Sequence, residues 1–151
     1  MIKERSRECS VYVTSCQIDT AGEKQTIETE SKGRLSEKEG VLYVLYEEST
    51  DEKQNIKNLL KIEKEPLRVS LTKSGAVSWK IKFIQGEKDR AEYGTPYGSL
   101  EISVDTKAVT FQRTEQKISL QLVYTLFIQG EKQADCRLKA DIRVCEANLA
   151  M

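Results

Sequence analysis

The segment Arg137-Leu138-Lys139-Ala140-Asp141-Ile142-Arg143-Val144 alternates charged and apolar residues without a break. Successive side chains of an extended strand point to opposite faces, so this octet makes a strand with one wet face and one greasy face. The same period recurs outward from it in both directions. Leu100, Ile102 and Val104 alternate with Glu101, Ser103 and Asp105, and Val77, Trp79, Ile81 and Phe83 alternate with Ser78, Lys80 and Lys82. Leu67, Val69 and Leu71 alternate with Arg68, Ser70 and Thr72, while Ile27, Thr29, Ser31, Gly33 and Leu35 oppose Glu28, Glu30, Lys32 and Arg34. A charged outer row against an apolar inner row is the mark of an antiparallel sheet with one side solvated.

Turn signals separate these runs at short intervals: Ala21-Gly22, Glu39-Gly40, Lys64-Glu65-Pro66, Lys73-Ser74-Gly75, Gly86-Glu87-Lys88 and Gly130-Glu131-Lys132. Strands are expected near 9–18, 25–35, 40–48, 56–63, 66–73, 76–85, 90–94, 99–105, 108–114, 117–128 and 134–145. Residues 50–65 also carry helical spacing at Ile56, Leu59 and Leu60 behind an Asp51 cap, but Ile56, Leu60 and Ile62 fit one strand face. The strand is favoured, with a flexible polar loop at 49–55. Gly33, inside a clean strand, suggests a bulge or barrel corner where a side chain would collide. Many strands joined by short hairpins leave an edge problem, which a barrel removes by closure. The expected architecture is therefore all-β, a single antiparallel barrel over 9–146 between a polar segment at 1–8 and a tail at 147–151, with a two-sheet sandwich as competitor.

The length, 151 residues, suits one domain, and 24 basic residues balance 24 acidic ones. Binding to nucleic acid draws on a basic face, and no long basic block exists, so nucleic acid is not an expected partner. The amino-terminal Met1-Ile2-Lys3-Glu4-Arg5-Ser6-Arg7-Glu8 is too charged for the apolar core of a signal peptide. The longest uncharged run, Ile118 to Gly130, is shorter than the ~20 residues a spanning helix needs, so a cytoplasmic protein without a membrane partner is expected. The four cysteines, Cys9, Cys16, Cys136 and Cys145, lack C-x-x-C spacing, and the chain has no histidine. Free structural thiols are expected, with neither metal nor cofactor.

Three segments carry a resemblance to a known family. Leu42-Tyr43-Val44-Leu45-Tyr46-Glu47-Glu48, Leu71-Thr72-Lys73-Ser74-Gly75-Ala76-Val77 and Thr95-Pro96-Tyr97-Gly98-Ser99-Leu100-Glu101 resemble, in order and spacing, the YwiB-like family of small bacterial proteins. The resemblance implies a lipocalin-like (calycin-type) barrel and a cytoplasmic bacterial protein. It brings no catalytic or ligand residues with it.

Candidate chemistry is sparse. Without histidine the commonest general base is missing, which leaves a histidine-independent enzyme built on Lys, Glu, Tyr or Cys as the weakest of three functional readings. Ser70-Leu71-Thr72-Lys73 matches S-x-x-K, but on a strand its first and last residues point apart. Gly94 to Gly98 lacks the Gly-Lys-Ser/Thr ending of a phosphate loop and reads as a turn around Pro96. The hexapeptide Phe-Ile-Gln-Gly-Glu-Lys occurs at 83–88 and at 127–132, but the two copies fall on opposite faces. It reads as two strand ends entering similar hairpins rather than as a duplicated unit. Tyr43, Trp79, Phe83, Tyr93, Tyr97 and Phe111 are candidates to line a ligand cavity, since a barrel interior either fills or holds one small ligand, and filling is the preferred reading of these rings. Two strands are apolar on both faces, which makes Leu42, Val44, Tyr46, Val123 and Phe127 candidates for a homodimer interface. The leading reading is a non-catalytic module that holds a small apolar or amphipathic ligand. A filled scaffold acting through its outer face comes second.

Overall fold

The computed structural model describes residues 5–49, 55–75 and 78–145. Ten strands occur in it, and no helix among the described residues: β1 (Arg5–Asp19), β2 (Lys24–Lys38), β3 (Val41–Ser49), β4 (Asn55–Lys64), β5 (Leu67–Gly75), β6 (Trp79–Phe83), β7 (Lys88–Thr95), β8 (Gly98–Arg113), β9 (Lys117–Ile128) and β10 (Glu131–Val144). Sequence neighbours other than β6 and β7 pair antiparallel and β1 pairs with β10, so the single sheet runs β6-β5-β4-β3-β2-β1-β10-β9-β8-β7. Its two ends, β6 and β7, then meet across a seam. Gly94 N–H donates to the Ser78 carbonyl at 3.0 Å, and Lys82 N–H donates to Asp89 Oδ2 at 2.8 Å, a carboxylate standing where a ladder carbonyl is missing. Below the seam the 84–87 turn covers β8: Gly86 N–H donates to the Thr106 carbonyl at 2.9 Å and Thr106 N–H to the Glu87 carbonyl at 3.0 Å. The result is an up-and-down antiparallel barrel, nearly closed.

Local chemistry explains the turns. Glu39-Gly40 and Gln129-Gly130 have positive φ at both residues, 53° and 81° in the first and 51° and 79° in the second. That is the two-residue hairpin geometry whose twist suits paired strands, and glycine takes its second position at no steric cost. Residues 55–64 form a strand, as the sequence favours over the helix. The polar loop expected at 49–55 falls largely on 50–54, outside the described residues, as are 146 and the tail, while the turn signal Lys73-Ser74-Gly75 forms the end of β5 instead.

Three further expectations are corrected. β1 begins at Arg5, because Arg5 to Glu8 pair with Arg34 to Glu37 of β2. The strands expected at 99–105 and 108–114 are one strand, β8, with a bulge between Thr106 and Ala108. The extra residue moves the inner row from Ile102, Val104 and Thr106 to Val109 and Phe111, and in the sequence this change of parity looks like a break. The repeated hexapeptide also enters two different turns. At 127–132 it makes a two-residue hairpin, whereas at 83–88 it joins β6 to β7, whose ladder is a single bridge.

Gly33 marks a corner. β2 pairs with β3 only from Gly33 to Lys38, while its pairing with β1 continues to Lys24. A Cβ at Gly33 would lie 2.7 Å from the Leu45 carbonyl oxygen and 3.1 Å from Tyr46 Cβ. The register is unbroken there, so the corner needs a missing side chain rather than an extra residue. Below it the barrel is solid: Val11, Leu42, Val44, Ile62, Val69, Ile118, Leu120, Leu122 and Ile142 are all buried. Each contributes roughly 1.5–3 kcal/mol by leaving water.

Charges finish the floor of this packed half. Glu37, at the end of the β2 inner row, accepts from Arg113 of β8 at 2.9 and 3.2 Å and from Lys64 of β4 at 3.4 Å. The clamp ties strands from opposite walls. Arg113 holds the Glu37 carboxyl below its ordinary value, against a smaller opposing effect of burial, with Lys64 adding to the lowering.

Gly33→Ala is expected to cost about 1–3 kcal/mol, because backbone must move to admit the methyl; a melting temperature equal to that of the parent protein would refute the corner. For Glu37 the depressed value means that its stabilisation is present above the ordinary carboxylate range and is lost as pH falls through the folded value. About a third of each side chain is exposed, so the contribution should stay near or below ~1 kcal/mol. In urea titrations, Glu37→Gln should be less stable than the parent at neutral pH and equal to it once the parent carboxyl is protonated; a deficit independent of pH would contradict the clamp.

Candidate functional site

The inner rows change character along the barrel. On β1 the large Val11 and Val13 give way to Ser15 and Gln17; on β2 Leu35 gives way to Ser31 and Thr29. On β10 the row ends in Cys136 and Ala134. Short and polar side chains cannot reach the axis, so the half that carries the β1–β2, β7–β8 and β9–β10 turns is hollow. A ten-stranded barrel is also wider than the eight-stranded kind that side chains just fill.

The hollow has two adjoining lobes. One, of about 400 Å³, lies behind the seam and is apolar, walled by Trp79, Ile81, Phe83, Tyr93, Ile102 and Leu126, with Leu100 and Ile128 at its end. The other, of about 260 Å³, opens where β2 parts from β3 and is lined by Val13, Ser15, Gln17, Thr29, Glu48, Lys73 and Leu138. Gln17, Trp79, Phe83 and Tyr124 belong to both. The rings of Phe83 and Tyr124, with centroids 5.0 Å apart and tilted by 56°, stand where the lobes meet.

The second lobe holds the polar pole. Lys73 Nζ lies 2.7 Å from Glu48 Oε2, and Asn58 Nδ2 donates to the same oxygen at 2.7 Å. Lys73 Nζ also sits 5.9 Å from the centre of the Trp79 ring. Asn58 is completely buried, and its Oδ1 accepts no hydrogen bond. On the wall of the hollow, burial pushes the Tyr124 phenol above its ordinary value and the Cys136 thiol up to about 11. Burial likewise takes the Cys9 thiol up to about 11, with its neighbour Cys145 adding to the rise. All four cysteines are free.

Of the residues picked from the sequence, Trp79, Phe83 and Tyr93 come together on the apolar lobe. Phe111 points inward but packs against the core in the solid half. Tyr97 is 99% exposed, at the β7–β8 turn, and so cannot line the hollow. Tyr43 lies on the outer face, with Lys61 Nζ 6.0 Å from its ring centre. Leu42, Val44 and Tyr46, picked for an outer interface, are buried in the barrel interior, while Val123 and Phe127 stay on the outside of β9. The inversion on β3 has one cause. A strand apolar on both faces hides its own parity, but the two-residue Glu39-Gly40 turn pairs Glu37 with Leu42 and Leu35 with Val44. Since Leu35 faces inward, Val44 must as well. Glu48, Lys73, Asn58, Gln17 and Tyr124 were not singled out from the sequence. Lys73 was within reach of such reading, because it ends the inner row Leu67, Val69, Leu71.

Fold and hollow together define a class: small up-and-down β-barrels of ten strands, packed at one end and hollow at the other. Within that class the chain belongs to the family described as a domain of unknown function (DUF1934), which it matches over residues 11–139. It is 26% identical over 116 residues to the uncharacterised β-barrel protein YwiB of Bacillus subtilis (strain 168), covering 77% of this chain and 80% of that one. The crystal structure of the Bacillus subtilis YwiB protein superposes with a TM-score of 0.80 at 22% identity, over 93% of each chain, a likeness of fold.

A thiol shifted to about 11 is only about a thousandth ionised at pH 8, and the thiolate is the reacting form. With an aromatic disulfide reagent, intact-mass spectra of native protein should therefore show exposed Cys145 labelled first, and Cys9 and Cys136 only after denaturant is added. Immediate labelling of all four would contradict the burial of the two inner thiols.

Proposed function

We propose that this protein is a non-catalytic binding module of lipocalin-like (calycin) kind that takes one small amphipathic molecule into the hollow half of its barrel. The observation that carries the reading is the pairing of an apolar lobe of about 400 Å³ with an adjoining lobe that holds a side-chain ion pair. Ligand sites have this composition: mostly apolar walls, a few fixed polar groups, and volumes of roughly 300–1,000 Å³. The apolar lobe supplies burial, and the polar lobe supplies orientation.

A second reading, homodimerisation, is favoured by one feature of the outer face. Leu45 and Leu59 sit directly opposite each other on β3 and β4 and are 49% and 36% exposed, with Tyr43 beside them. They form a small apolar patch that a second copy would cover.

Trp79 is the only tryptophan and stands on the wall of both lobes, so its emission reports occupancy. Titration with a neutral naphthylamine dye should transfer energy from Trp79 and saturate at one dye per barrel. Ile102→Phe, which fills the apolar lobe, should abolish the transfer while leaving the circular dichroism of the sheet intact. Absence of saturable binding, or equal binding by the filled variant, would overturn the module reading. A native mass spectrum of the same sample reads the second possibility, which a monomer at every concentration would exclude.

A further inference from the structure

We infer that the molecule this barrel accepts carries an electrically neutral, hydrogen-bond-donating head, an alcohol, polyol or amide on an apolar body, and is neither a fatty carboxylate nor an alkylammonium. The inference rests on the binding-module reading and adds to it the chemical class of the ligand.

The charge of the walls decides the matter. Among the described residues, Glu48 and Lys73 are the only charged side chains lining either lobe, and at 2.7 Å they neutralise each other. The pair is well held: Glu48 Oε2 also accepts from buried Asn58, and the Lys73 ammonium lies beside the Trp79 ring. About three quarters of each charged side chain is removed from solvent, at 21% and 27% exposed. A carboxylate entering here must draw Lys73 away from Glu48 and leave Glu48 beside a second anion. An ammonium must do the reverse. Either exchange strands one charge of a partly buried pair, which is far more costly than leaving the pair intact.

A neutral head avoids that exchange, and Ser15, Gln17 and Thr29 on the wall can accept its proton. Asn58 Oδ1 is a fully buried acceptor without a donor, and buried acceptors are rarely left so. It stands behind Glu48 and does not line the polar lobe, so Asn58 serves by holding the Glu48 carboxylate. The remaining polar groups of this lobe, Ser15, Gln17 and Thr29, are neutral hydroxyls and an amide. They match the same kind of head.

The test uses three amphiphiles with one tail, decan-1-ol, decanoate and decylammonium, competing at neutral pH with the naphthylamine dye read through Trp79. The parent protein should bind decanol at least roughly tenfold tighter than either ion. Glu48→Gln frees the Lys73 charge and should raise decanoate affinity by roughly tenfold or more while changing decanol little; Lys73→Gln should do the same for decylammonium. A parent protein that prefers decanoate or decylammonium, or binds all three alike, overturns the inference and leaves the module reading standing. Failure of the dye and all three amphiphiles to bind overturns both. Should either variant lose its β-sheet circular dichroism, the preference of the parent protein alone decides.

Discussion

Closure of a ten-stranded sheet sets a fixed interior width, and the rest of the molecule is a response to it. Backbone hydrogen bonding leaves little choice here: an open sheet of alternating strands would present two bare edges, and curling brings them together at the partly bonded β6–β7 seam. Once the sheet is closed, only the inner rows can occupy the space. In one half they are Leu, Ile and Val, and they meet. In the other, Ser, Thr, Gln and Cys on β1, β2 and β10 face aliphatic side chains and rings on β6 to β9, and they do not. The seam follows from the same geometry. β6 is only five residues long, so Asp89, Gln85 and the 84–87 turn complete backbone bonds that a longer strand would have made.

Alternation made the strands and most inner rows legible, because a period of two is local and survives without knowledge of the fold. Parity is harder. Where one row is charged, as in Arg137 to Val144, inside and outside declare themselves. In Val41 to Tyr46 both rows are apolar, and only the turn next door resolves them, since a two-residue hairpin transmits parity from Leu35 to Val44. The bulge at Thr106–Ala108 is the converse case: parity changes within one strand, and nothing in Thr106-Lys107-Ala108 distinguishes that from a turn. Tyr97 shows the limit of residue type as a guide. An aromatic ring at a two-residue turn between β7 and β8 has no inner row to join.

The charged groups inside the barrel were the least legible, for a physical reason. Glu37 meets Arg113 across 76 positions of sequence, and Glu48 meets Lys73 across 25. The first pair exists only once closure brings separate walls together, the second once β3 and β5 flank β4, and each partner alone looks like one more charge among 48. Their settings also differ. The Glu37 clamp ends the packed half, where the inner rows reach water. The Glu48–Lys73 pair instead borders the hollow, where Asn58 and Trp79 hold it from beneath and beside.

The hollow is not something the fold requires. Ser15, Thr29 and Cys136 occupy inner positions equivalent to those that Val11, Leu35 and Ile142 fill further down the same strands. Leucine or valine in their place would bury more apolar surface and close unfilled volume, which costs about 24 cal/mol for each Å³ in engineered cavities. A chain needing only a stable barrel has every reason to continue its lower pattern upward. This one instead changes on β1, β2 and β10, and in that half it sets a neutralised ion pair beside an apolar lobe. Stability forgone on several strands of one half is what a site asks of its scaffold, and the ligand-binding proposal stands on that coincidence more than on any single side chain.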